Sequence, residues 1–188
     1  MNKILTSSIF FMLFFAWWSS LTIGLSSDEY FHHINGLVRY KFLISFGEIQ
    51  KFEFRNNQFY PGLYDTISYA LGQIIFLVNK KFYANNIDVI MHFVNISFST
   101  LSILGLYLLT KKLFNKKIAL ITCLLTLLNP FFFGHMGMNS KDIIVFFAFV
   151  WTCYYFYLYC TEDKSLTKNL ILFSLFFGFG CGVRLTFV

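Results

Sequence analysis

Residues 4–25 read ILTSSIFFMLFFAWWSSLTIGL, an unbroken apolar run with Lys3 ahead of it and Trp17 and Trp18 toward its far end. A helix needs about 20 such residues to cross the hydrocarbon core of a bilayer, and this run has them. It is long for the apolar region of a signal peptide, and no Ala-x-Ala cleavage site follows it. The stretch therefore reads as a retained signal-anchor helix.

The rest of the chain agrees with a membrane setting. Hydrophobic residues make up 57% of the 188 residues and charged residues 13%, where a soluble domain has about 45–50% and about 25%. Phe occurs 27 times, more than a core of this size can hide, so lipid must solvate many of the rings. The apolar stretches are continuous rather than alternating, which argues against a β-barrel. The fold class is all-α, a polytopic membrane bundle. A net charge of +6 would suggest nucleic acid in a soluble protein. Here the lysines flank apolar runs and act as topology signals, so no nucleic-acid partner is expected. Cys123, Cys153, Cys160 and Cys181 lie in or beside apolar runs at no metal-ligand spacing, and read as small packing residues.

Further spans are expected at 89–109, 118–133, 143–159 and 170–188, giving about five crossings in a single transmembrane domain over 1–188. The span at 89–109 is interrupted by His92, Asn95 and several Ser, and that at 118–133 ends at Asn129-Pro130. Residues 26–86 form a long loop containing interfacial helices. Ser27 is the expected N-cap of a helix starting at Asp28, 48–57 is mixed and polar, Pro61-Gly62 marks a turn, and 66–78 is apolar but too short to span. Lys3, the lysines around Asn115, and Lys164 with Lys168 fall on one side if the helices alternate, and that side is cytoplasmic. The N-terminus is then cytoplasmic, while the 26–86 loop and the 134–141 turn lie outside. The run ending at Val188 has no closing polar flank, so a fragment of a longer polytopic protein is expected.

Acids gather on that outer side. Asp28 and Glu29 follow the first span, and Asp142 follows Gly134-His135-Met136-Gly137-Met138-Asn139-Ser140-Lys141. Each also suits a helix N-terminus, where a carboxylate meets the positive end of the dipole. A carboxylate at the membrane surface can serve as general base toward a hydroxyl, its proton affinity raised by partial desolvation. Asp28 and His32, like Glu29 and His33, are four residues apart and share a helix face. Carboxylate plus imidazole makes a divalent metal the one candidate cofactor, with His32 and His33 as ligands; a surface His–acid contact is the simpler alternative. Arg39, Lys41, Lys80, Lys81 and Lys141 are basic groups on the same side, suited to a phosphate or to lipid headgroups. Lys141 is the strongest of them because it adjoins Asp142, and His135 and Asn139 in the same turn are secondary candidates. Arg184 sits within the last apolar run, where a charge usually faces a polar partner.

The order of these features resembles the N-terminal part of the C-type membrane glycosyltransferases. Those features are an N-terminal helix leading into Asp28-Glu29, then Tyr60-Pro61-Gly62-Leu63-Tyr64 opening a short apolar helix, and a span ending Lys111-Lys112-Leu113-Phe114. Asn129-Pro130, the 134–142 turn and a Gly-x-Gly-x-Gly-x-Arg helix over 178–184 follow. The group most similar is the dolichyl-phosphate-mannose protein mannosyltransferase-like family, which includes the aminoarabinose transferases of lipid A. The resemblance implies a polyprenyl-phosphate sugar donor, a protein or lipid/glycan acceptor, and transfer with inversion on the outside face. It implies Asp28 as the acid at the catalytic centre, with Glu29 beside it and Asp142 as a second acid. Lys141 or Arg184 would then steady the departing phosphate. Two other readings compete. A transporter or flippase would use polar midspan residues such as His92 and Asn95, and a non-catalytic membrane subunit would use the Gly-rich last run for packing.

Overall fold

The computed structural model describes residues 2–49, 59–162 and 165–187, with the backbone alone at residue 27. Lys164, the 50–57 part of the polar stretch and the last residue of the 170–188 run lie outside the described residues. The chain is all-helical among the described residues: α1 (Asn2–Thr22), α2 (Ser27–Ile44), α3 (Leu63–Val78), α4 (Lys80–Asn85), α5 (Ile87–Leu113), α6 (Lys116–Leu128), α7 (Pro130–His135), α8 (Asp142–Thr161) and α9 (Leu166–Val183). A 3-10 turn, Leu185–Phe187, follows α9.

Four of these helices, α1, α5, α8 and α9, are long and apolar enough to cross a membrane. The segment expected as one span over 118–133 is instead two helices. Pro130 lacks an amide hydrogen, and the Asn129 side chain accepts from the amides of Phe131 and Phe132 at 3.0 and 3.3 Å, so the chain stops at Asn129 and restarts. Together the two pieces run back along α5. α6 begins beside the end of α5, and the turn after α7 is bonded to Asn95 and Ser99 in the first half of α5. From Asn95 to Leu113 an α-helix rises ~27 Å at 1.5 Å per residue, close to the hydrocarbon thickness.

α5 and α8 run side by side in one direction, tied at their far ends by Lys112 Nζ to Glu162 Oε1 at 2.5 Å. α1, the α6–α7 pair and α9 return toward the other end. Ala16, Ile96, Ile103, Cys123, Leu127 and Met136 form one buried apolar cluster among α1, α5 and α6, and a ladder of aromatic rings (Phe98, Phe147, Phe176, Phe179) joins α5, α8 and α9. Phe10, Phe11 and Phe14 of α1 stay exposed, as lipid-facing rings do in a bundle this thin. Trp17 Nε1 donates to Thr100 Oγ1 at 3.0 Å, so even the outermost helix is held by a satisfied polar contact.

α2 and α3 pack together over the end of the bundle where α1 finishes and α5 and α8 begin. Their close approach depends on Gly36: a Cβ there would sit 2.3 Å from the Asp65 carbonyl oxygen. α2 begins one residue earlier than expected. Its N-cap is Ser26, not Ser27, and Glu29 Oε2 accepts from the Ser26 amide at 2.5 Å, the returning arm of a capping box.

Candidate active site

The turn between α7 and α8 is fixed by side chains whose alternative is an unpaired polar group in an apolar interior. The Asn95 amide donates to the Gly137 carbonyl at 3.0 Å and to Ser140 Oγ at 3.3 Å, and Ser99 Oγ donates to the Met136 carbonyl at 2.8 Å. Tyr64 Oη donates to Asn95 Oδ1. Burial first, and the nearby Asp65 charge second, push the Tyr64 phenol far above its usual value, so it remains a neutral donor. Gly137 is pressed against α1, where a Cβ would lie 2.3 Å from Ser20 Oγ. Within the turn, Asn139 Oδ1 accepts from the amides of Lys141 and Asp142 at 3.0 and 2.8 Å and so caps the start of α8.

This scaffold gathers much of what the sequence singled out. A cavity of about 400 Å³ is lined by Asp28, His32, His135, Asn139, Lys141, Asp142 and Arg184, among others. Asp28 is exposed and has no hydrogen-bond or ion-pair partner among the described residues. Asp142 is engaged: Oδ1 accepts from Arg184 Nη1 at 2.5 Å and Oδ2 from Asn139 Nδ2 at 3.2 Å. Both ends of the Asp142–Arg184 pair are about half exposed (side-chain exposure 55% and 52%), which leaves the guanidinium open to a second anion. Arg184 is not midway along a span; it is the residue at which α9 stops. Lys141 Nζ lies 5.0 Å from the Tyr60 ring centre and 5.8 Å from that of Phe31, a cation held over aromatic faces. His135 Nδ1 is 3.1 Å from Asn139 Nδ2. A second chamber of about 120 Å³ adjoins the first and shares His32, Ser140, Lys141 and Arg184 with it.

Two expectations are corrected. Glu29 does not stand beside Asp28 in the cavity. Successive residues on a helix point roughly 100° apart, and Glu29 turns inward, fully buried, with Oε1 2.7 Å from Nε2 of the fully buried His92. That contact has ion-pair distance but not hydrogen-bond alignment, and both His92 ring nitrogens lack a hydrogen-bond partner among the described residues. Nor do His32 and His33 make a metal site. His32 Nδ1 is 2.8 Å from Asp65 Oδ1, whereas the His33 ring sits against Tyr69 at 5.4 Å. No group of three or more His, Cys, Asp and Glu side chains converges at ligand geometry among the described residues.

Asp65, Tyr64, Tyr60, His92 and Asn95 belong to the site or its support and were not selected from sequence for that role. His92 and Asn95 carried a signal, as polar residues three apart in an apolar span. Asp65 carried none beyond an ordinary acid in a first helical turn. Arg39 is drawn off to Asn35 Oδ1, at 3.1 Å, and to the Tyr60 carbonyl. Burial lowers its proton affinity and Asp65 raises it again.

The helical bundle therefore carries at one end a cavity lined by Asp28 and by the two cations Lys141 and Arg184. The family model described as dolichyl-phosphate-mannose-protein mannosyltransferase matches residues 69–188, and the chain belongs to that family. It is therefore an integral membrane glycosyltransferase domain of the mannosyltransferase type. Comparison with curated proteins and with solved structures finds no match. The matched segment includes Lys141, Asp142 and Arg184, while Asp28, His32 and Asp65 precede it.

Proposed function

We propose that this domain transfers a sugar from a polyprenyl-phosphate donor to a protein hydroxyl, on the face of the membrane opposite the cytoplasm. The observation that carries the reading is the cavity in which the unpaired Asp28 carboxylate shares walls with Lys141 and Arg184. Asp28 accepts the proton of the acceptor hydroxyl, whose oxygen attacks the anomeric carbon of the sugar. The bond from that carbon to the phosphate breaks, its electron pair passing to the phosphate oxygen. Lys141 and Arg184 balance the charge that develops there. One displacement inverts the anomeric centre. Asp142 holds Arg184 in place, and His135 and Asn139 shape the same wall.

Sidedness follows from charge. Lys111, Lys112, Lys116 and Lys117 lie at the end of the bundle away from the cavity, as the preference for cytoplasmic lysines requires. A lipid or glycan acceptor would use the same chemistry.

The test is mannose transfer from a short-chain polyprenyl-phosphate mannose to a serine- and threonine-containing peptide. Asp28→Asn should lower kcat by about 100-fold or more with expression and melting temperature unchanged. Wild-type rates in that variant would remove Asp28 from the mechanism.

A further inference from the structure

His32 lies on the wall between the two chambers, lining both. Its surroundings fix which nitrogen is free. Arg39 has only donors, so Asn35 must present Oδ1 to it and Nδ2 to Asp65. Asp65 Oδ2 thus accepts from Asn35 at 2.5 Å, and its other oxygen accepts from His32 Nδ1 at 2.8 Å. Asp65 is buried, 5% exposed, with both oxygens occupied. His32 Nε2 is then the ring atom without a hydrogen-bond partner among the described residues, and it is not one of their sealed, unpaired atoms. The arrangement is a buried carboxylate orienting an imidazole whose second nitrogen reaches a cavity that also holds Lys141 and Arg184.

From this we infer that His32, oriented by Asp65, is the proton donor to the departing phosphate. The inference rests on the glycosyl-transfer reading above and assigns it a second proton-transfer group. Breaking a phosphodiester-linked sugar at the anomeric carbon turns a singly charged phosphate into one that binds a further proton near pH 6, within the range of an imidazolium. His32 enters as the imidazolium, with Nδ1–H on Asp65 and Nε2–H toward the phosphate. As the carbon–oxygen bond breaks, its electron pair goes to the phosphate oxygen and the Nε2 proton follows to the phosphate. The acceptor proton goes to Asp28. Transfer of one proton from Asp28 to His32 through cavity water restores both groups.

The charged and titratable groups that line cavities with His32 are Asp28 and His33 on its own helix, Tyr60 just before α3, Tyr64, Asp65 and Tyr69 on α3, Tyr83 on α4, His135 on α7, Lys141 and Asp142 at the entry to α8, and Arg184 at the end of α9.

The experiment is the mannose-transfer assay across pH for wild type, His32→Ala and His32→Gln. Loss of the general acid should lower kcat by about 100-fold with little change in KM for the donor, abolish the fall in rate on the alkaline side, and allow partial rescue of His32→Ala by added imidazole. His32→Gln can still donate to Asp65 but cannot release a proton, so it should match His32→Ala in kcat while keeping the wild-type melting temperature. A slowed His32→Ala enzyme that keeps the wild-type alkaline limb and ignores imidazole, or a His32→Gln enzyme with wild-type kcat, would overturn the inference and reduce His32–Asp65 to a strut between α2 and α3. Wild-type protein that transfers no mannose would instead strike the glycosyl-transfer reading itself.

Discussion

Oε1 of Glu29 and Nε2 of His92 lie 2.7 Å apart with both side chains wholly excluded from solvent. The pair binds the first turn of α2, and hence the neighbouring Asp28, to α5. Removing His92 leaves the buried Glu29 carboxylate with the Ser26 amide as its remaining contact, and losing one member of a buried charged pair costs about 3–5 kcal/mol. His92→Ala should therefore lower the melting temperature sharply and reduce activity through misplacement of Asp28. A Glu29→Gln, His92→Ala double variant should be less destabilised than the sum of the two singles. Thermal unfolding in detergent, arranged as a double-mutant cycle, measures that coupling.

Asn95 joins three elements through its one amide. Asn95→Ala removes the acceptor of Tyr64 Oη and leaves the Gly137 carbonyl without its Asn95 donor, at about 1–3 kcal/mol for a buried group left unpaired. Because the freed turn carries Lys141, the expected signature is a raised KM for the donor. Asn95→Asp would keep the acceptor for Tyr64 and lose the donor to Gly137. A KM unchanged in Asn95→Ala would show that the turn is held by Ser99 and packing alone.

Gly36→Ala places a methyl against the Asp65 backbone rather than against a movable side chain. α2 and α3 must part, and the His32–Asp65 contact loosens with them. Activity should fall further than for a surface Gly→Ala change, and cysteines introduced across the α2–α3 interface should cross-link more slowly than in the wild-type background.

His33 offers a test by pH. Burial lowers its proton affinity in the folded protein below the ordinary value of 6.5. Its contribution to stability is therefore complete above that value and is lost as pH falls through the lower folded value. His33→Gln should flatten the acid limb of the stability profile between about pH 6.5 and pH 5, in the range where unperturbed imidazoles charge, and leave neutral stability little changed. An acid limb identical to wild type would show that other histidines set it.

What the sequence made legible follows the kind of interaction involved. The runs over 4–25, 89–109 and 143–159 mark α1, α5 and α8 because lipid imposes composition and length directly. Asn129-Pro130 was visible as a break but read as the end of a crossing. Only the contacts of Asn95 and Ser99 show that the path along α5 continues through α7. The cap was read as Ser27, whereas Glu29, three residues after Ser26, is the mark of a capping box that points to Ser26. Asp28, Lys141, Asp142 and Arg184 were singled out as charged groups beside or within apolar runs, and the fold brings them to one cavity. The inward turn of Glu29 was not legible, because its partner is distant in sequence and nothing local favours one helix face over the other. The same holds for His32: local spacing offered Asp28 as its partner, whereas the fold supplies Asp65 from another helix.

The Tyr64–Asn95 bond has a consequence for how such chains can be recombined. One partner precedes the family-matched segment and the other lies inside it. A chimera that grafts residues 69–188 onto foreign leading helices would inherit Asn95 with an unanswered acceptor and Lys141 on a turn lacking one of its moorings. The exchangeable unit is thus larger than the stretch by which kinship is recognised, and a viable crossover point must fall before α3 rather than at the edge of the match.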